Sequence, residues 1–435
     1  MSKKNTIFYR KKQEINYDFL SEDISSDGGI ILAEKIERKY RIIEEFCKSL
    51  SDKRNRSYVS HSLENIVKQR VFLMMQGYDD CNDEQYLRND PVIKTALDAK
   101  LASQPTLSRF ENANEDRDIY NMSLCQIDTY VASIDPKRKQ IVIDSDGTDD
   151  PTYGSQQLAM FNGYYKQYMY NELLFHDGET AQVILPVLRP GNCHSNRWFV
   201  HILSVIVDKI RARFPKMEII IRADAGFSGA EFYDLAEEKN LLFCIGLASN
   251  KRLKKFTEVV EAIVRKTYVD RDEKYQFFAG AFRYKADSWS QEQNCYAKIE
   301  STGRGLNVRY FCSNMEGQTA KDLYWDFYVK RGETSENRIK ELKNMCFSDR
   351  LSCHKYVANS MRLFLSCLAY EFFRRIKELI KKAGDKKASK WQIDNIRLYL
   401  LKVGTIVKTR VRRITLSLSK SYVCRDLFCK IIALC

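Results

Sequence analysis

The sequence predicts an α/β fold: a mixed sheet flanked by helices, with a β-rich insertion, an α-helical N-terminal domain and a basic helical C-terminal region. Three observations carry this. Short β-branched runs (Gln140–Ile143, Met217–Ile221, Leu241–Gly246) alternate with amphipathic helical stretches (Asn196–Phe214, Ala230–Lys239), so the middle strands should be parallel. The segment Tyr268–Ser313 is rich in Tyr, Phe and Val with near period-2 stretches. The 435 residues are 44% hydrophobic and 12% aromatic, enough for a sizeable core, which excludes wholesale disorder.

In chain order, Leu32, Ile36, Tyr40, Ile43 and Phe46 recur at helical intervals, and a second helical stretch runs from Leu63 to Met75. Gln104–Ser108 reads as a loop leading into a helix that Ser108 would cap. Residues 1–135 therefore form the helical N-terminal domain. Met160–Phe175 and Gln182–Leu188 fit strands of one meander, followed by a turn at Arg189–Asn192. The α/β part spans 136–250, the insertion 251–318, and a returning helical part 319–383. Residues 384–435 open with a basic linker, Gly384–Lys390, and continue with alternating basic and apolar residues over Val403–Leu418.

Composition narrows the function classes. Net charge is +14, but Glu371–Cys435 holds 17 Lys/Arg against 5 Asp/Glu, a net of +12 that leaves +2 for the other 370 residues. A basic tail favours a polyanionic partner, most often nucleic acid. No apolar run reaches the about 18 residues of a membrane span, and charged Met1–Glu14 does not read as a secretory signal. The 13 cysteines include no CxxC pair and read as reduced thiols of a cytoplasmic protein.

The chemistry concentrates where strands end. Asp144 and Asp146 lie two apart on one strand and share a face, and Asp224 ends the next core strand. Ligands of open α/β sheets gather beyond the strand carboxyl ends. Carboxylates converging there suit Mg²⁺ or Mn²⁺. Each acid alone also fits an ordinary turn residue. A third acid stands downstream in Tyr328-x-x-Arg331 and Glu336-Asn-Arg-Ile-Lys340-Glu-Leu-Lys343. At about 100° per residue, Lys340 and Lys343 each fall within about 40° of Glu336 on a helix. That face would present one metal ligand and two phosphate contacts, or else a solvated Glu–Lys pair.

This ordered set resembles the DDE transposases of bacterial insertion sequences, in the cut-and-paste branch with a Tyr-Arg-Glu-Lys signature. Ile143-Asp-Ser-Asp146-Gly-Thr carries the first acid, Ile221-Arg-Ala-Asp224-Ala-Gly-Phe the second, and Glu336 the third. Phe161-Asn-Gly-Tyr-Tyr, Leu188-Arg-Pro-Gly-Asn and Gln104-Pro-Thr-Leu-Ser also match, over roughly residues 30–420. The resemblance implies an RNase H-like core in which Asp146, Asp224 and Glu336 hold two Mg²⁺ or Mn²⁺ ions, with Asp144 as a further possible ligand. Tyr328, Arg331, Lys340 and Lys343 would grip DNA phosphates. Four residues separate Arg331 from Glu336 where the branch commonly has three, which leaves Glu333 as a rival; Glu336 alone keeps lysines at i+4 and i+7.

The implied partners are double-stranded DNA, as terminal inverted repeats and target, and a second protomer on the paired ends, in a bacterial cytoplasm. The implied reaction is metal-dependent nicking, hairpin formation, hairpin opening and strand transfer, with an insertion aromatic such as Trp289 stacking on a displaced base. The N-terminal domain would recognise the ends, and the tail would bind phosphate or pair protomers. Three rivals stand beside this. His194-Ser-Asn-Arg197 with Tyr233 matches the pattern of a tyrosine recombinase. A decayed copy would bind DNA without cutting it. An RNase H-like nuclease would cut without strand transfer. A serine hydrolase lacks its GxSxG elbow.

Overall fold

The computed structural model describes residues 5–11, 13–19, 22–271, 275–332 and 336–435. The chain divides into two compact units: Met1–Arg41, Ser60–Leu107 and Arg375–Cys435 form one, Ile42–Val59 and Ser108–Arg374 the other. The fold is mixed α/β, as the sequence predicts. Among the described residues no helix is long and apolar enough to cross a membrane.

The second unit is built on nine strands: β1 (Gln140–Pro151), β2 (Met160–Asn162), β3 (Gln167–Asp177), β4 (Val183–Pro190), β5 (Glu218–Ala223), β6 (Leu242–Leu247), β7 (Tyr275–Tyr284), β8 (Gln293–Thr302) and β9 (Gly305–Ser313). They pair in the order β7-β8-β9-β6-β5-β1-β3-β2, and β4 adds to β3 beside β2. Among the described residues only β1–β5 and β5–β6 pair in parallel. The central strands are buried through Ile141, Val142, Ile143, Ile219, Ile220, Ile221, Phe243 and Ile245. Continuous apolar runs of this kind belong to parallel strands covered on both faces. Helices α1 (Phe199–Arg213) and α2 (Ala230–Glu238) link them. Phe199 joins one of these helices to the sheet, 5.9 Å from Phe175, 4.7 Å from Phe227 and 5.9 Å from Phe232.

The β-rich segment is not a separate sheet. Through β9, which pairs antiparallel with β6, the hairpin strands β7–β9 extend the central sheet. They are preceded by α3 (Lys251–Arg271), a helix absent from the sequence reading. It buries Leu253, Thr257 and Val264, and Thr257 Oγ1 meets the Tyr310 hydroxyl at 2.7 Å. With few buried apolar positions, its helical period was faint against charged neighbours. Trp289 is 7% exposed, its ring 4.5 Å from that of Tyr233 and 5.4 Å from that of Tyr284. It is a core residue and presents no face to a displaced base.

The other unit carries helices Ile31–Tyr40, Leu63–Gln76 and Pro91–Leu97. It also holds strands that the helical readings of both termini did not contain. Asn5–Arg10 pairs with Gln13–Tyr17. Thr405–Arg410 and Arg413–Leu418 form a hairpin with Asp23–Ser25 at its edge. The basic–apolar alternation over Val403–Leu418 is thus a strand period. Lys408, Arg410, Arg412 and Arg413 are exposed at its tip. The helix expected after Ser108 begins at Gln104 instead, with Pro105 in its first turn and Ser103 O accepting from Thr106 N at 2.8 Å.

One buried feature of the sheet has a pH consequence. Asp150 on β1 and Glu172 on β3 are both fully buried, and burial, then Glu172, pushes the Asp150 carboxyl well above the usual range. Two adjacent buried carboxyls keep one proton between them. A carboxyl whose folded pKa is raised costs stability as pH climbs above its unfolded value. Asp150→Asn, which mimics the protonated acid, should therefore raise the thermal midpoint at pH 8 by at least about 2–4 °C. The gain should shrink toward pH 5, as differential scanning calorimetry would show; a lower midpoint at pH 8 would contradict the shared proton.

Candidate active site

The sheet register sets the first two acids side by side. The parallel pairing of β1 with β5 ends at Ser145↔Ala223. The next residues are Asp146 and Asp224, so equivalent positions of adjacent parallel strands carry them. β1 continues past this point, held by β3 through Asp146↔Leu174 to Pro151↔Met169. Asp224 leaves the sheet and starts the turn Ala225–Phe227, its Oδ1 accepting from Gly226 N at 2.7 Å. Gly246 on β6 permits the close approach: a Cβ there would lie 2.6 Å from the Tyr328 hydroxyl and 2.7 Å from Ala225 N.

Glu336, the third acid expected from the sequence, lies within electrostatic reach of Asp146. It is exposed, on the segment Leu323–Met345, and its Oε1 lies 3.6 Å from where a Cβ on Gly332 would stand. Burial pushes the Asp146 carboxyl up to about 6; Arg331 pulls it down, Asp224 pushes it up, the Gly147 N–H pulls it down and Glu336 pushes it up. All three acids therefore share one electrostatic neighbourhood. Arg331 is the resident counter-ion, its Nη1 donating to Asp146 Oδ2 at 2.7 Å. Among the described residues no three His, Cys, Asp or Glu side chains already form one coordination sphere. The rival Glu333 lies outside the described residues.

The other sequence-derived residues divide. Asp144 is 1% exposed and receives both Arg222 Nε at 2.6 Å and Nη2 at 2.8 Å, with Arg338 Nη1 at 3.5 Å. Tyr328 is half-buried, its ring stacked 5.9 Å from that of Phe311; burial pushes its hydroxyl up to about 12. Lys340 is exposed beside Glu336. Lys343 is turned inward: its ammonium donates to Thr148 Oγ1 at 3.1 Å and to Asp149 O, and lies 3.7 Å from Asp150 Oδ1. The wide turn at Glu341–Met345 explains this. It has π geometry, as Leu323–Tyr328 does, so a spacing of about 100° per residue does not carry through to position 343.

Sequence reasoning gave no role to three arginines. Arg222 interrupts the run Ile219–Ile221 and is buried opposite Asp144 in the register. A charge inside an apolar strand is itself the signal, since it requires a partner. Arg338 donates to Asp177 O at 3.1 Å and Gly178 O at 2.8 Å, tying the Glu336 segment to the end of β3. Arg189, fully buried, bonds Asn171 Oδ1, Ser195 O at 2.9 Å and Arg197 O at 2.8 Å, shaping the loop that faces Asp224. In the recombinase-like pattern, Tyr233 is 3% exposed and its hydroxyl is 2.8 Å from Ser228 Oγ, so it offers no nucleophile to DNA.

No curated protein matches this chain in sequence. Among solved structures, a piggyBac transposase synaptic complex with hairpin DNA is similar, with a TM-score of 0.45 and 13% identity, over 87% of this chain and 80% of that one. A family profile described as "Transposase DDE domain group 1" matches residues 8–434. The chain therefore belongs to the DDE-domain transposase family.

Proposed function

We propose that the chain excises an insertion sequence and transfers its strands to target DNA, with Asp146, Asp224 and Glu336 as the catalytic acids of an RNase H-like core. The observation that carries this is the register: Asp146 and Asp224 directly follow the last parallel pair of adjacent strands, Ser145↔Ala223, and Glu336 is near enough to act on the Asp146 carboxyl. The donor set fits Mg²⁺ or Mn²⁺, since every donor is a carboxylate oxygen; burial lifts the Asp146 carboxyl, and Asp224 and Glu336 add to that. Two such ions, when bound, supply an activated water or 3′-hydroxyl and neutralise the leaving 3′-oxygen.

The chain's own residues do the rest. Arg331 holds Asp146, and the Gly226 N–H holds Asp224. Lys340 projects beside Glu336 and contacts a substrate phosphate. Asp144, engaged by two arginines, fastens the strand rather than ligating metal. Lys343 serves the same end by clamping Asp149 and Asp150. The helical N-terminal region reads the terminal inverted repeats. The exposed basic hairpin around Arg410–Arg413 adds non-specific, salt-sensitive affinity. Two protomers hold the paired ends.

The test is the pH profile of Mg²⁺-dependent DNA cleavage. Only the ionised Asp146 binds a cation, so protons and Mg²⁺ compete. At low Mg²⁺ the rate should fall as pH drops through about 6. Raising Mg²⁺ should move that limb to lower pH. A limb that ignores Mg²⁺ would remove Asp146 from the site.

A further inference from the structure

Leu188-Arg-Pro-Gly-Asn192 takes no part in the proposed chemistry, yet its arginine is fully buried near the end of β4. The hydrogen bonds of Arg189 all end on neutral oxygens. Its Nε donates to Asn171 Oδ1 at 3.1 Å, and Nη1 donates to the carbonyls of His194 at 3.4 Å, Ser195 at 2.9 Å and Arg197 at 2.8 Å. A buried guanidinium must satisfy its donors, so three carbonyls of one short loop converge on one rigid fork. The loop ends at Trp198 with φ 67°, a left-handed conformation that a bulky residue adopts only where its surroundings impose it. Gly191 anchors the start of the loop. A Cβ there would lie 1.9 Å from Met169 O, and its carbonyl accepts from Asn162 Nδ2 at 2.7 Å, in the aromatic turn Phe161–Tyr165.

The ordered loop bears directly on Asp224. With its amide nitrogen toward the Ala225–Phe227 turn, Asn196 donates to Gly226 O at 3.0 Å and to Phe227 O at 3.1 Å, and only this orientation sets its donors against acceptors. Ser195 Oγ lies 2.7 Å from where a Cβ on Gly226 would stand. The Gly226 N–H in turn holds Asp224 Oδ1 at 2.7 Å. Contacts thus run unbroken from Arg189 through the loop carbonyls and Asn196 to the turn that Asp224 begins. The same guanidinium also abuts the strand of the first acid: its Nη2 lies 3.7 Å from where a Cβ would stand on Gly147, the residue after Asp146. One buried side chain therefore refers both acids to a common support.

We infer that Arg189 and Asn196 are positioning residues, which preset Asp224 against Asp146 so that the two carboxylates can share a divalent cation. This rests on the proposed function for the role of Asp224. The test reads the full chain twice, by hydrogen exchange of the Ala225–Ser228 amides and by isothermal titration with Mn²⁺. Asn196→Ala removes the latch and leaves the buried clamp in place. It should speed exchange over Ala225–Ser228 by at least about tenfold while β1 and β5 stay protected. It should also weaken Mn²⁺ binding by about 10–100-fold, the scale on which residues that orient metal ligands act. Arg189→Lys keeps the charge but lacks the fork that gathers three carbonyls, and should change both readouts in the same direction; if it does not fold, Asn196→Ala decides alone. Unchanged exchange over Ala225–Ser228 in Asn196→Ala overturns the inference. So does wild-type Mn²⁺ affinity in Asn196→Ala when Asp224→Asn loses it. If exchange responds but Asp224→Asn itself binds Mn²⁺ like wild type, the latch on the turn stands and the proposed function falls.

Discussion

Asp224→Asn and Glu336→Gln should each lower DNA cleavage by on the order of 10³–10⁴-fold, the scale seen when one member of a catalytic carboxylate group is lost. Both substitutions keep shape and remove charge. In Asp224→Asn the amide oxygen of the new side chain can still accept the Gly226 N–H now held at 2.7 Å by Asp224 Oδ1, so the turn into Phe227 survives. Glu336 is exposed and its side chain makes no helix-cap hydrogen bond, so its replacement should leave the sheet untouched. The loss should lie in the chemical step, with duplex DNA affinity retained in an electrophoretic shift assay. Isothermal titration with Mn²⁺ should show weakened ion binding in both variants. Cleavage within tenfold of wild type in either variant would remove that acid from the mechanism.

Arg222→Met should destabilise the chain by about 3–5 kcal/mol, the cost of leaving one partner of a buried ion pair uncompensated. Asp144 is 1% exposed, and Arg222 satisfies both its oxygens at 2.6 and 2.8 Å. Arg338 at 3.5 Å offsets only part of the loss. The same guanidinium donates to Phe327 O at 2.7 Å and lies 5.0 Å over the Phe327 ring. It therefore joins β5 to the segment that delivers Tyr328, Arg331 and Glu336, and activity should fall along with stability. Replacing Asp144 by Leu in the same chain should recover part of the stability in chemical denaturation. A single Arg222→Met variant as stable as wild type would show that Asp144 is not held as a charge.

The candidate acids Asp146 and Asp224 were legible because strand chemistry is local. Ile141–Ile143 and Ile219–Ile221 announce buried strands, and each is followed by an acid and a glycine within a few residues. The register that sets Asp146 beside Asp224, one residue past Ser145↔Ala223, then follows from parallel packing. Arg222 was legible in principle, but only its partner on another strand gives it meaning. Lys343 was misleading because wide turns break the helical phase between Glu336 and Met345. The helix Lys251–Arg271 hid because it exposes Phe256, Val259 and Ile263 and so lacks a clean apolar face. The Thr405–Leu418 hairpin was visible as a basic–apolar alternation, a period of two, yet the region around it reads as helical. The aromatic turn was visible as Phe-Asn-Gly-Tyr-Tyr, yet its place beside Asp224 depends on Asn162 reaching Gly191 across the sheet.

The central claim is that these three acids perform metal-dependent phosphoryl transfer on DNA. It is tested most directly by incubating the full chain with a duplex containing the DNA that flanks its own gene, with and without Mg²⁺. The account predicts breaks at the element ends that leave free 3′-hydroxyls, need Mg²⁺ or Mn²⁺, vanish in EDTA and leave no protein joined to DNA. Cleavage that persists in EDTA, or a DNA end covalently attached to the protein, would contradict it.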